Sequence, residues 1–239
     1  MRRLLFLATA VAISAVAVGR GAAETLPLSS DLVRLDSTEG EMVLIGAEAR
    51  ADFLPLSVHF TTQVHPAFCG PATIAMVLNA LDVPRPASDM TLGLGLFDQE
   101  NVFNARTEAV KPRSEILRGG MTLDELGALL ETHGLAAEVV HASDTSLDDF
   151  RRTAVALLEE DERFVLVNYL RKAIGQEAGG HISPLGAYDA DSDRFLILDV
   201  SRYKYPPVWV AAATLFSAMD TPDSDNDDRS RGFVLVGRE

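Results

Sequence analysis

Residues 63–81, QVHPAFCGPATIAMVLNAL, contain Cys69, the one cysteine of this 239-residue chain. Apolar residues at 74, 77, 78 and 81 follow it, which is the i, i+3, i+4, i+7 spacing of a buried helix. Pro71 suits the first turn of such a helix, and Asp82, Val83 and Pro84 end it. The stretch therefore predicts a buried helix over residues 70–81, with Cys69 at its N-terminus.

The rest of the chain predicts helices first and strands later. Residues 24–55 are interpreted as an N-terminal arm with a short strand at 42–45, and residues 85–120 as loops with short helices. Thr122 and Glu125 form a capping-box signature for a helix to about residue 132. The remaining pattern predicts strands at 136–140, 163–170, 181–188, 194–200 and 232–236, and helices at 146–160 and 211–219. Without βαβ alternation, the expected class is α+β with an antiparallel sheet.

The first 23 residues have the composition of a secretory signal peptide. Two arginines precede an apolar run that ends in small residues, with Ala23 as the expected cleavage position. A retained membrane anchor is the alternative, because the run approaches the length of about 17 residues that a span needs. We expect a signal peptide at 1–23, one domain at 24–239, and export to the periplasm or the extracellular space.

The charge of the chain is strongly acidic, with a formal net charge of −14. The predicted signal peptide holds three arginines and no acid, so its removal would make the charge more negative still. Such a surface repels phosphate backbones and anionic membranes. Nucleic acid is therefore excluded as an expected partner, and contact with a membrane is expected only through the export signal.

The single cysteine has two interpretations. A buried cysteine often serves as a small apolar residue. In an oxidising compartment, however, an unpaired thiol is exposed to oxidation and mispairing, so its presence there favours a chemical role. A helix N-terminus and a nearby imidazolium both lower the pKa of a thiol and so favour the nucleophilic thiolate.

His181 is the predicted partner of Cys69 among the five histidines of the chain. It follows Gly179 and Gly180 and opens a strand; a hairpin centred near residue 190 would set it opposite Asp199. Nucleophile, base and orienting carboxylate would then all be present. Of the others, His133 is expected to cap a helix and His141 to lie on the surface. His59 and His65 have no obvious carboxylate partner.

Acyl transfer by a thiolate also needs hydrogen-bond donors for the oxyanion that forms. The backbone N–H of Cys69 is one candidate. The side-chain amide of Gln63, in the same loop, is the other, although Gln63 could equally be an ordinary polar loop residue.

At these residues the chain resembles the phytochelatin synthases, and in particular their short bacterial members. The resemblance rests on QVHPAFCG at 63–70, VLNAL at 77–81, GGHISPLGAYDADSDRFLILDVSRYKYPPVWV at 179–210 and RGF at 231–233. It extends over roughly residues 50–237. The long run from residue 179 to 210 is its most specific part.

The resemblance implies a papain-like cysteine peptidase fold, with the nucleophile in an N-terminal helical part and the histidine and aspartate on a C-terminal antiparallel sheet. Cys69 would attack the Cys–Gly bond of glutathione, and His181, Asp199 and Gln63 would act as base, orienting carboxylate and oxyanion donor. The γ-glutamylcysteinyl thioester would then pass to water, giving γ-glutamylcysteine, or to a second glutathione, giving phytochelatin.

The resemblance further implies that Arg231 and an acid in the preceding loop bind the carboxylate and amine of the γ-glutamyl group. Asp223 is the best match for that acid. The alternation of Asp223, Asp225 and Asp227 is also found in calcium loops, but the loop lacks the turn glycine and the closing glutamate of such a site. No resident metal or cofactor is expected. A divalent heavy metal such as cadmium would enter as an activator or as metal-bound glutathione.

Hydrolysis is expected to exceed peptide extension, because the chain has no Cys-rich segment and glutathione outside the cell is dilute. Glutathione and its peptides are the expected partners. Two alternatives stay open: a general papain-like peptidase, and an exported module that binds metal or thiol peptides without turnover. The sequence also leaves open whether the chain forms a homodimer.

Overall fold

The structure is a computed structural model that describes residues 25–87 and 94–238. The predicted signal peptide at 1–23 lies outside the described residues. Among the residues described, the helices are all too short or too polar to cross a bilayer.

Eight α-helices and seven β-strands are formed by the described residues. The helices are α1 (Thr38–Gly46), α2 (Phe53–Val58), α3 (Cys69–Ala80), α4 (Ala105–Val110), α5 (Arg113–Gly119), α6 (Leu123–Thr132), α7 (Leu147–Leu158) and α8 (Ala212–Met219). The strands are β1 (Val33–Arg34), β2 (Leu135–His141), β3 (Arg163–Leu170), β4 (Gly180–Asp189), β5 (Arg194–Ile197), β6 (Val208–Ala211) and β7 (Gly232–Arg238).

The seven strands form one sheet in the order β1-β6-β5-β4-β3-β7-β2, and every pair of neighbours is antiparallel. Helices α3 and α6 cover one face, and α7 and α8 cover the other. Strand β3 shows how the faces divide: Phe164 and Leu166 join the first core, while Val165 and Val167 join the second. The expected α+β class with an antiparallel sheet is confirmed.

Helix α3 lies in the centre of the first core, because its residues from Cys69 to Asn79 are all buried. Its apolar residues pack on the sheet on one side and against α2 on the other. The capping box of α6 is also present, since Thr122 and Glu125 each bond the backbone of the other. The helices at 70–81 and 122–132 are therefore confirmed.

The strand predicted at 42–45 is wrong, because these residues lie in helix α1. The Ser37 hydroxyl accepts a hydrogen bond from the Gly40 N–H at 3.0 Å and caps the helix. Glu39 and Glu41 lie in its first turn, where the helix dipole favours negative charge. An apolar run of four residues was too short to distinguish a strand from this helix.

Candidate active site

Cys69 is the first residue of α3, so its thiol lies at the positive end of a buried helix. The residue is 8% exposed and lines a pocket of about 130 Å³, through which a ligand can reach it. Burial acts to raise the pKa of the thiol. The hydrogen bond and charge of His181, with the backbone N–H groups of Ile182 and Gly70, outweigh burial, so the pKa lies below its ordinary value.

His181 lies on β4 and faces Cys69 from the sheet. Its Nε2 is 2.9 Å from Asp199 Oδ1, which leaves Nδ1 for the thiol. The Tyr169 ring packs edge-on against the imidazole at 5.7 Å and helps to fix its plane. Burial acts to lower the pKa of His181, but the charge and hydrogen bond of Asp199, with the bond to Cys69, raise it above its ordinary value. Both pKa shifts act in the direction of a thiolate beside an imidazolium.

The predicted register between His181 and Asp199 is wrong, although the two side chains meet. Strand β5 ends at Ile197, which pairs with Leu185, and a bulge shifts the register between Leu185 and Ala187. Continuing that register would set Asp199 opposite Ser183. The diagonal neighbour His181 is still within side-chain reach.

Arg171 is a part of the site that sequence reasoning missed. Its two terminal nitrogens are each 2.8 Å from one oxygen of Asp199, and both residues are buried. Burial opposes the charge of Asp199, but His181 and Arg171 hold its pKa well below the usual range. The only available signal was indirect: a buried carboxylate needs more than one cationic or hydrogen-bonding partner.

Gln63 is buried beside the nucleophile loop, but the structure gives its amide other partners. Its Nε2 donates to the carbonyls of His65 at 2.9 Å and Pro66 at 3.0 Å, while Oε1 is buried without a partner. Both amide hydrogens are thereby engaged. To act as an oxyanion donor, the Gln63 amide would have to give up one of these bonds and turn toward the substrate. The oxyanion role of Gln63 therefore stays a prediction.

Arg231 and Asp223 both line the pocket that contains Cys69 and His181. Arg231 Nη2 donates to Asp223 Oδ1 at 3.2 Å, and its Nε is buried without a partner. Gly180 leaves room for this position, because a Cβ there would make a tight contact of 3.2 Å with Arg231 Nε. The structure thus brings the predicted recognition pair next to the predicted catalytic groups.

The other four histidines do not line the pocket that contains Cys69. His133 is the C-cap residue of α6, as predicted. His141 is buried, with 2% of its surface exposed, and the prediction that it lies on the surface is wrong. Sequence reasoning placed it after the strand, whereas it is the last residue of β2 and is covered by the loop at 220–231.

A larger cavity of about 740 Å³ shares no lining residue with the Cys69 pocket. Within residues 25–87 and 94–238, there is no cluster of three His, Cys, Asp or Glu side chains that could hold a metal ion. The groups brought together at Cys69 are its thiol, the imidazole of His181 and the carboxylate of Asp199, and Arg231 and Asp223 line the same pocket.

Comparison with known proteins gives a match to the phytochelatin synthase family over residues 23–233. The chain is 34% identical to glutathione gamma-glutamylcysteinyltransferase 1 of Lotus japonicus over 88% of its own length and 41% of that protein. For glutathione gamma-glutamylcysteinyltransferase 2 of Arabidopsis thaliana the identity is 33%, over 88% and 46%. The chain thus spans less than half the length of these two curated relatives.

Among solved structures, the chain is similar to a double glycine motif protease from the AMS/PCAT transporter. The TM-score is 0.40, with 13% identity over 80% of this chain and 96% of that one.

Proposed function

Because the chain belongs to the phytochelatin synthase family, we propose that it is a thiol acyltransferase and peptidase that cleaves the Cys–Gly bond of glutathione. The observation that carries this proposal is the placement of Cys69 and His181 in one pocket that also contains Arg231 and Asp223. The first pair supplies acyl-transfer chemistry. The second supplies opposite charges for an amino acid end group.

The first half-reaction begins with the Cys69 thiolate attacking the carbonyl carbon of the cysteinyl residue of glutathione. The electron pair of the C=O bond moves to oxygen, and the N–H of Cys69 would stabilise the oxyanion, with the Gln63 amide as a second donor after reorientation. The oxyanion then reforms the carbonyl and expels the glycine nitrogen. His181 gives its proton to that nitrogen, so glycine leaves and a γ-glutamylcysteinyl thioester stays on Cys69.

In the second half-reaction neutral His181 takes a proton from the incoming nucleophile, which attacks the thioester carbonyl. The bond from the carbonyl carbon to sulfur breaks, and Cys69 leaves as the thiolate. Water would release γ-glutamylcysteine, and the α-amino group of a second glutathione would give a phytochelatin. Asp199 keeps the ring aligned and stabilises the imidazolium in both steps. We propose that hydrolysis is the main outcome.

Substrate recognition is assigned to Arg231 and Asp223. The α-carboxylate of the γ-glutamyl group would bind the Arg231 guanidinium, and its α-ammonium would bind the Asp223 carboxylate. The two side chains already hydrogen bond to each other, so a zwitterion can bridge them with little rearrangement. A peptide without a free γ-glutamyl end would leave both charges poorly paired.

Intact-mass analysis after brief exposure to glutathione tests the proposal. We expect an adduct of γ-glutamylcysteinyl mass on Cys69 and release of glycine, both absent in Cys69→Ala. A protein that forms no adduct and releases no glycine would refute the proposal. Glutathione binding without turnover by the parent and by Cys69→Ser alike would favour a binding module instead.

A general peptidase is the rival enzymatic function. It predicts turnover of unrelated peptides and a rate on glutathione that does not depend on Arg231. Our proposal expects Arg231→Ala to raise KM for glutathione strongly while unrelated peptides stay uncleaved. The two functions therefore differ in a single kinetic comparison.

A divalent heavy metal is proposed to act through the substrate, as a complex with the glutathione thiolate, and not as a resident cofactor. Adding cadmium to the purified enzyme should then change the ratio of longer peptides to γ-glutamylcysteine. An excess of longer peptides without any metal would reverse the proposed order of hydrolysis and transfer.

Export is proposed from the composition of residues 1–23. N-terminal sequencing of the protein from fractionated cells should find a mature chain that begins near residue 24, in the fraction outside the cytoplasm. An intact N-terminus would argue for the membrane-anchor alternative.

A further inference from the structure

The loop at 220–231 carries both residues assigned to the γ-glutamyl group, so its position decides whether that group can bind. The loop is polar and rich in aspartate. Two backbone hydrogen bonds within the loop hold its two ends together. The Asp223 N–H donates to Arg229 O and the Arg231 N–H donates to Thr221 O, each at 2.9 Å. These bonds shape the loop, but they do not attach it to the rest of the domain.

His141 supplies an attachment from outside the loop. It is the last residue of β2 and pairs with Gly232, the first residue of β7. Its ring is buried between two elements: Nδ1 faces the backbone oxygen of Ser230 in the loop, and Nε2 lies 3.1 Å from Asp124 Oδ1 on α6. The adjacent Ala142 N–H donates to the Arg231 carbonyl at 2.9 Å. His141 therefore lies one residue from the backbone contact that holds Arg231.

The two oxygens that face the ring are both acceptors. A carbonyl oxygen and an ionised carboxylate can only accept, so each bond needs an N–H from the imidazole. A neutral ring has one N–H, whereas the imidazolium has two. Both contacts of His141 are therefore satisfied together only when the ring is doubly protonated.

Asp124 extends the attachment to the loop by a second route. Its other oxygen, Oδ2, accepts from Asn226 Nδ2 and from an Arg229 terminal nitrogen, each at 2.9 Å. Burial acts to raise the pKa of Asp124, but the bonds from Asn226 and His141 and the charges of His141 and Arg229 bring it below its ordinary value. The carboxylate thus stays ionised as the acceptor that the imidazolium needs.

We infer that His141 is a positioning residue for γ-glutamyl recognition: as an imidazolium it fastens the loop at 220–231 to β2 and α6 and so holds Arg231 and Asp223 in the pocket. This inference rests on the proposed function for its substrate. The charged groups that face the ring are Asp124 from α6 and, through Asp124, Arg229 from the loop. The catalytic pair lies on α3 and β4, outside this attachment.

The kinetic consequence is a separation of KM from kcat. Losing a donor or the charge at position 141 frees the loop and weakens binding of the γ-glutamyl end, whereas bound substrate still meets an intact Cys69 and His181.

His141→Gln is the first test, because glutamine keeps an N–H donor but carries no charge. We expect KM for glutathione to rise roughly tenfold, which corresponds to about 1.4 kcal/mol, with kcat changed less than twofold. His133→Gln is the matched control: this half-buried histidine contacts Val102 O on another part of the surface, so its KM for glutathione should equal that of the parent.

Two further measurements need no turnover. Long-range ¹H–¹⁵N NMR of the unaltered protein should show two hydrogen-bonded N–H groups on the His141 ring, one for each contact. Amide hydrogen exchange within residues 220–231 should be faster in His141→Gln than in His133→Gln. A neutral His141 ring, or unchanged exchange together with an unchanged KM, would overturn the inference. Faster exchange in a protein that does not cleave glutathione would support the attachment and refute the proposed function.

Discussion

Among the described residues, two aspartates are at most 1% exposed, and their surroundings give them opposite charge states. Asp199, in the catalytic group, is 0% exposed, and Asp52, at the start of α2, is 1% exposed. Asp199 accepts from His181, from both terminal nitrogens of Arg171 and from the Ser201 N–H. Its pKa is accordingly held well below the usual range despite burial.

Asp52 has no comparable partners. It is the N-cap residue of α2, but its side chain makes no capping bond, and Oδ2 is buried without a partner. Burial, with the nearby negative charge of Asp161, raises the pKa of Asp52 to about 9. The adjacent Ala51 N–H bonds the Leu158 carbonyl at the negative end of α7, which also disfavours a carboxylate.

The comparison teaches that burial alone does not decide the charge of a carboxyl group. Burial disfavours the charged form in both places. Asp199 stays ionised because several donors, three of them on the cations Arg171 and His181, compensate the lost hydration. Asp52 is neutral at pH 7 because nothing compensates it.

The largest expected effect comes from Asp199→Asn, which removes the charge that orients His181. We expect the rate of glycine release to fall about 10²–10⁴-fold, as for the carboxylate of other catalytic triads. Asp191→Asn, in the exposed turn between β4 and β5, is the control and should retain the parent rate. A variant at position 199 with near-normal turnover would show that the ionised state of Asp199 is not needed for catalysis.

Arg171→Met makes the surroundings of Asp199 more like those of Asp52. Removing one partner of a buried ion pair leaves an uncompensated charge, so the free energy of unfolding should fall by about 3–5 kcal/mol. The pKa of Asp199 should rise. Urea denaturation measures the fall in the free energy of unfolding. Arg152→Met, which breaks an exposed pair with Asp149, should change the free energy of unfolding far less.

Asp52→Asn replaces a neutral carboxyl by a group of nearly the same shape that does not titrate. Because the pKa of Asp52 is raised on folding, the folded protein keeps a proton that the unfolded chain releases, so stability falls as pH rises from about 4 to about 9. We expect the variant to be more stable by about 1–3 kcal/mol at pH 8 and to gain little at pH 4. Thermal unfolding across this pH range measures the gain; an equal change at both values would mean that Asp52 does not hold the proton.

The smallest expected effect is that of Asp161→Asn. Asp161 is exposed and contributes only the secondary cause of the Asp52 shift. We expect the pKa of Asp52 to decrease but to stay well above its ordinary value, with stability at pH 7 changed by a few tenths of a kcal/mol. Carboxyl ¹³C NMR of Asp52 in the two proteins is the direct measurement. A return of the pKa to its ordinary value would mean that repulsion, and not burial, dominates.

Much of the fold follows from local patterns in the chain. The helix that begins at Cys69, the capping box at Thr122 and the strand at 163–170 all depend on spacing within a few residues, and each is confirmed. Strand β6 at Val208–Ala211 was not predicted, because a strand of four residues has too little periodic signal. The strand prediction at 42–45 was wrong for the same reason, because four residues carry too little periodic signal.

The residues of the candidate site likewise divide into those that the sequence predicts and those that only the structure shows. Cys69, His181 and Asp199 could be proposed from one cysteine, one helix and one hairpin, and the structure brings all three together even though the hairpin register is different. The roles of Arg171 and His141 could not be predicted, because they depend on contacts between residues far apart in the chain. Arg171 contacts Asp199, and His141 contacts Asp124 and Ser230, at separations of 17 to 89 residues.

The sequence by itself thus determined where the reactive sulfur lies on its helix, most of the strands that follow it and that the chain is acidic, since these depend on composition and on neighbouring residues. Only the tertiary structure decided which buried polar groups are charged. That outcome depends on donors and acceptors brought together by folding, and no local spacing specifies them.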